Sequence, residues 1–323
     1  MMKWLSTIAV ALSIAAMPGL AVSQEAFPDT SQTIHLIIPN SAGGGTDIAG
    51  RLLAEGLEEK LGTTVIVENL SGACGIEGAT KLMNAEPDGY TLALVPIPQV
   101  SMYYLDPERG GDFKREATTV IAQHDAGPLA IAVAADSEYQ TLDDVVQAAK
   151  ENPGSLTSAS SSVLGTGHLS LLRLNEVAGI DLNWTAMEQQ GTALASLLGG
   201  HIDVITDTFS ELYPHAQSGD IRILAVFDDE RPAQMPDVPT AKEQGYDVVL
   251  RTTRLLIAPA GSPKEVVETL ETGVQELISD PEYQDKATQR QVGISFKNSD
   301  EAAQVWQDID ENFGPIVIEF RQQ

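Results

Sequence analysis

Residues Leu36-Ile37-Ile38-Pro39-Asn40-Ser41-Ala42-Gly43-Gly44-Gly45-Thr46-Asp47 run an apolar strand straight into a glycine-rich turn. An amphipathic helix starts at once, with Ile48, Leu52, Leu53, Leu57 and Leu61 expected on one face and Gly62 ending it. The glycines let the backbone turn tightly and approach a ligand, because no Cβ intervenes. The first helical amides lack intrahelical partners and stand at the positive end of the helix dipole, so the turn is suited to an anion. Taken alone, the same turn also serves as a tight strand-to-helix connection with no ligand.

The pattern repeats and so constrains the fold. Thr64 to Glu68 reads as a second strand, Ala79 to Ala85 as a helix and Tyr90 to Val95 as a third strand after the turn Pro87-Asp88-Gly89. Such β-loop-α-β order implies right-handed crossovers and a parallel sheet, whose carboxyl-end loops gather on one ligand-binding edge. Leu129 to Ala134 opens a second series of strands. Leu156 to Ala159 then enters a loop, Ser160-Ser161-Ser162-Val163-Leu164-Gly165-Thr166-Gly167, before a helix from about His168. This second loop repeats the chemistry of the first. Val204 to Phe209 forms a third strand-to-turn unit, with Asp207 placed either to reach a ligand or to cap the next helix.

The chain starts Met1-Met2-Lys3, continues apolar from Trp4 to Met17 and reaches Ala21-Val22-Ser23, a pattern that predicts a secretory signal peptide over residues 1–23. No later stretch is long and apolar enough for a bilayer span, so a soluble, exported and periplasmic protein without a membrane anchor is expected. Removing residues 1–23 takes one base and no acid from 19 bases and 46 acids, leaving 18 against 46. Nucleic acid and anionic membranes are poor partners for such a chain, and a monomer is expected. An anionic ligand would then need a locally positive site, which helix ends and amides can supply.

Beyond these patterns, the residues resemble the TctC or Bug family, the extracytoplasmic solute-binding proteins of tripartite tricarboxylate transporters. The resemblance rests on Pro39 to Asp47 followed by Arg51-Leu52-Leu53-Ala54, on Val65-Ile66-Val67-Glu68-Asn69 and on Pro87-Asp88-Gly89-Tyr90-Thr91-Leu92. It continues through Pro153-Gly154-Ser155-Leu156, Leu197 to Val204, Met235-Pro236-Asp237-Val238-Pro239-Thr240 and Ala258 to Lys264, covering essentially the whole chain after residue 23. It implies a two-lobed α/β periplasmic binding protein of type II, a Venus flytrap with the ligand in the cleft between lobes. Lobe 1 would comprise residues 24–125 and 248–323, and lobe 2 residues 126–247. It also implies a small carboxylate ligand, delivered to the membrane components of such a transporter.

Expected ligand contacts are Asn40, Ser41, Ala42, Gly43, Gly44 and Thr46 from the first loop. Ser160, Ser161, Gly165, Thr166 and His168 follow from the second, with Asp207 from the third. The segment Thr185-Ala186-Met187-Glu188-Gln189-Gln190-Gly191 departs from the family's Pro-Tyr-Lys-Gly type turn, and whether Glu188, Gln189 or Arg254 reaches the ligand stays open. Arg251 is expected to pair with a surface carboxylate.

Enzymatic and cofactor signatures are missing. There is no Gly-x-Ser-x-Gly elbow, the glycine loop lacks a Gly-Lys-Ser/Thr ending, and Gly165-Thr166-Gly167 breaks the dinucleotide pattern. The five histidines show no zinc spacing, and the single cysteine, Cys74, has no partner base in its loop. We therefore expect neither an enzyme nor a cofactor or metal protein. A sensing role, and a hydrolase using Asp207 and His168 as acid and base, remain the alternatives.

Overall fold

The structure, a computed structural model, describes residues 27–109, 111–160, 162–187 and 191–322. The predicted signal peptide, Ser161, Glu188 and Gln189 lie outside these described residues. Strand β1 (Ile34–Ile38) leads to helix α1 (Gly45–Leu61), β2 (Val65–Asn69), α2 (Ile76–Met83), β3 (Thr91–Ile97) and the single turn α3 (Met102–Leu105). The long β4 (Thr118–Ala134) precedes α4 (Leu142–Glu151), β5 (Thr157–Ser160), α5 (Thr166–Ala178), β6 (Asn183–Ala186), α6 (Thr192–Leu198), β7 (Val204–Thr208), α7 (Phe209–Ser218) and β8 (Ile221–Val226). The chain closes with β9 (Arg251–Pro259), α8 (Lys264–Ser279), α9 (Pro281–Gln289), β10 (Ile294–Lys297) and α10 (Ser299–Gln322).

As the β-α-β pattern requires, β1 pairs in parallel with both β2 and β3, Leu36 standing beside Val67 and Leu92. The same holds for β5, which lies parallel between β6 and β7. The long strands depart from the expected parallel order: β9 runs antiparallel to β3 and β4, and β4 antiparallel to β7 and β8. Strand β4 is longer than the six residues expected from Leu129 to Ala134. From Thr118 to Pro128 it pairs with β9, and from Leu129 to Ala134 with β7 and β8, so one strand belongs to two sheets.

Each sheet is covered on both faces, which is why β1 is a near-continuous apolar run. On the first sheet, Leu36 and Ile38 pack with Leu52, Leu53 and Leu57 of α1 and with Leu270 and Val274 of α8. Ile37 points the other way, into a core with Leu82 of α2 and Trp306 of α10. Two elements depart from their expected packing. Ile48, expected on the apolar face of α1, is 37% exposed, because it sits in the first turn, above the sheet edge. The residues from Ser299 to Phe313 read as an amphipathic helix packing on the first lobe, but helix α10 runs on to Gln322 through Gly314-Pro315. Its Ala302 and Trp306 pack on the first sheet, whereas Phe313 and Val317 join the core under the second. The helix thus packs on both sheets.

Candidate functional site

The first loop is shaped by Asp47. This buried side chain takes the Gly43 N–H at 2.8 Å and Arg51 Nε at 3.0 Å on one oxygen, and Asn69 Nδ2 at 2.9 Å on the other. Asn69 also donates to the Asn40 carbonyl, so the end of β2 ties down the entry to the loop. Burial pushes the Asp47 carboxyl up, but Arg51, the Gly43 amide and Asn69 outweigh it and hold it below the ordinary value of 3.8. Gly43 has φ of +85°, a conformation that favours glycine. Ser41, Ala42 and Gly43 stand exposed while Thr46 is buried. Gly44 caps α1 with no side-chain bond, so the first amides of α1 are left without an acceptor from a cap. Asn40 donates through Nδ2 to Gln99 Oε1, and its own Oδ1 is buried with no partner among the described residues.

The second loop is built on a different plan. Ser160, at the end of β5, is buried and accepts a bond from Trp184 Nε1 at 2.9 Å. Leu164 has φ of +53°, and its N–H donates to His168 Nδ1 at 3.0 Å. The His168 ring stacks on Trp184 at 3.6 Å between centroids and meets Phe320 of α10 edge-on at 5.0 Å. Burial, with a smaller contribution from the Arg321 charge, pushes the imidazole down to about 4. His168 is therefore neutral, with Nδ1 occupied by the loop's own backbone. The ring then carries its proton on Nε2, and through Nδ1 the histidine props the loop from below. Gly165 caps α5, again with no side-chain bond. Thr166 is half-buried in the first turn of that helix. Arg109 reaches the loop from the β3–β4 connection and donates to the Val163 carbonyl at 2.7 Å.

The third loop lies against the second, because β7 adjoins β5: Thr206 Oγ1 donates to the Gly167 carbonyl at 2.8 Å. Asp207 is half-buried, and its Oδ1 accepts the N–H of Thr208 next to it. The N-cap of α7 is Thr208 and not Asp207, so the capping alternative for Asp207 does not hold. Burial raises its carboxyl well above 3.8, and the neighbouring Glu211 raises it further.

Two arginines take different places in the structure. Arg251 pairs with a carboxylate, as expected, but the partner Asp228 is buried and not on the surface. Arg254 instead lies against the first loop: Nε is 3.2 Å from Thr46 Oγ1, and Nη1 pairs with the buried Asp125. Asp47, Asn69, Trp184 and Arg254 were all absent from the expected contacts. Three of them act on a loop from a separate strand, which no local spacing marks, although Asp47 closes the glycine motif itself.

Known proteins share this fold. Residues 49–321 match the family described as "Tripartite tricarboxylate transporter family receptor", TctC. A Cupriavidus necator protein encoded in a gbd 5' region is 33% identical over 296 residues, covering 91% of this chain and 88% of that protein. A TctC solute-binding protein from Polaromonas, solved without ligand, superposes with a TM-score of 0.79 at 28% identity, over 91% of this chain and 99% of that one. MatC of Rhodopseudomonas palustris, solved with bound malate, shares the fold with a TM-score of 0.75 at 24% identity, over 90% of this chain and all of that one, 100%.

Proposed function

The chain belongs to the tripartite tricarboxylate transporter receptor family, and from that premise we propose that it captures a small carboxylate in the periplasm and delivers it to the membrane components of such a transporter. The observation that carries the reading is the pair of helices α1 and α5. Each begins at the carboxyl end of a parallel strand with a glycine N-cap that makes no side-chain bond. Two such termini, one on each sheet, offer amides and positive dipole ends to the two ends of one small anion. Malate bound to a relative of the same fold supports the ligand class.

In this reading residues 24–125 and 248–323 form one lobe, residues 126–247 the other, and the long strands β4 and β9 are the hinge. The first loop contributes Asn40 to Gly44 and Thr46, and the second contributes Ser160, Ser161, Gly165 and Thr166. His168 acts from beneath, and Asp207 meets a hydroxyl, amino group or water of the ligand. Closure is selected because the ligand touches both lobes only in the closed form. A hydrolase with His168 as base is disfavoured by the same geometry, since its acceptor nitrogen Nδ1 already takes the Leu164 N–H and its ring is packed between Trp184 and Phe320.

A thermal-shift panel of mono-, di- and tricarboxylates and aromatic acids tests the reading, because a ligand of the native state raises Tm. At least one carboxylate should raise it. A Cβ at position 44 would have only the Ser41 carbonyl near, at 3.6 Å, so Gly44→Val should fold and yet lose the shift. A panel in which only cationic or neutral solutes raise Tm would refute carboxylate capture.

A further inference from the structure

A buried polar chain runs from α9 through the first sheet to the N-terminus of α1. Tyr283 Oη lies 2.7 Å from His124 Nε2, and His124 Nδ1 lies 2.8 Å from Asp125 Oδ2. A carboxylate only accepts, so Nδ1 carries the imidazole proton and the tyrosine hydroxyl donates to Nε2. The remaining Asp125 oxygen takes Nη1 of Arg254. Desolvation pushes the fully buried Asp125 carboxyl up, but the Arg254 charge and the His124 bond prevail and keep it low. Asp125 is thus an ionised group that fixes one edge of the guanidinium.

The other edge of Arg254 faces α1. Its Nε meets Thr46 Oγ1, and its Nη2 lies 2.8 Å from where a Cβ on residue 45 would stand. Gly45 has no positive φ to require glycine. Its missing side chain is what admits the guanidinium to the first turn of the helix. A cation there is placed at the end of the dipole that repels it. The charges that face this turn are Arg254 and Arg51 against Asp125 and Asp47, each arginine matched by one carboxylate. That balance leaves the positive dipole end uncompensated, and the described residues give Nη2 no acceptor. As a structural device this is costly, since a buried ion pair contributes little stability beyond an apolar pair of the same shape.

We propose that Arg254 is a ligand-binding residue that selects charge: its Nη2 edge and the first amides of α1 together hold one ionised carboxylate of the captured ligand. The proposal rests on the carboxylate-binding reading above and adds the residue that sets its preference. In a chain with 46 acids against 19 bases, this sets a guanidinium edge beside the uncompensated end of a helix dipole at one jaw, where an anion is to be seated.

The test is calorimetric titration of the wild type, Arg254→Met, Arg254→Lys and the double variant Arg254→Met/Asp125→Asn with malate, succinate, adipate, citrate and benzoate. Losing a charge-assisted bond predicts that Arg254→Met weakens the best of these by about tenfold to a hundredfold. Arg254→Lys should recover part of the loss. The double variant removes the orphaned buried carboxylate, so it should regain the Tm that Arg254→Met loses without regaining affinity. A purely structural role predicts that affinity returns together with Tm. Wild-type affinity in the double variant would overturn the role of Arg254 and leave carboxylate capture standing. A wild type that binds none of the five would overturn both.

Discussion

His168 shows how a residue type suggests one chemistry and its surroundings impose another. At the head of a helix beside a hydroxyl-rich loop, an imidazole can donate to an anion. Here its ring is 1% exposed, stacked on Trp184, and its Nδ1 accepts from Leu164, which itself needs support for its positive φ. The folded imidazole titrates near 4 against an ordinary 6.5. The unfolded chain therefore binds more protons between these values, and stability falls as pH drops through that window. From pH 7 to pH 4 the wild type should lose about 3 kcal/mol through this group alone. Urea unfolding at the two pH values checks it: the advantage of wild type over His168→Gln should shrink by about that amount. An unchanged difference would mean that the imidazole is not held neutral. Asp207 has the opposite sign. Its raised carboxyl stabilises the fold below 3.8, and the contribution is lost as pH rises through the folded value.

Among the elements, α10 joins what the two sheets separate. Its Trp306 is buried with the first sheet and donates to Ser101 Oγ at 3.0 Å and Tyr104 Oη at 2.9 Å. Two turns on, Phe313 and Val317 enter the core under the second sheet, and Phe320 meets His168 edge-on. Arg321 then pairs with the buried Asp106, which Arg109 also approaches, and Arg109 holds the Val163 carbonyl of the second loop. The helix is thus linked to the second loop through His168 and through Asp106. Phe313→Ala should cost about 3–5 kcal/mol of stability, measured by denaturant titration, as a large side chain is removed from a packed core. A cost under about 1 kcal/mol would show that the second half of α10 is not packed as described. The sequence hides this role, because Gly314-Pro315 reads as a helix end. The proline costs one helical hydrogen bond, and burial of Phe313 and Val317 is what offsets it.

On the scale of the whole molecule, β4 and β9 are the elements on which closure would turn. Pro128 and Leu129 mark where β4 leaves its pairing with β9 and begins its pairing with β7 and β8. A carboxylate that raises Tm should also reduce the radius of gyration in small-angle X-ray scattering, and Gly44→Val should remove both responses together. A ligand that raises Tm with no compaction would argue for binding without lobe closure. The repeated strand-turn-helix order, both glycine N-caps and the apolar faces of α1 and β1 are legible in the residues, because each follows from a local period or a local backbone need. By itself the sequence therefore determined the α/β class and the two loops at the carboxyl ends of β1 and β5, and its family resemblance implied the two lobes. Only the tertiary structure decided what surrounds them. It brings together residues 125, 254 and 283 behind the first loop and residues 168, 184 and 320 behind the second, since pairs so distant in the chain leave no periodic trace and meet only when the sheets close over their cores.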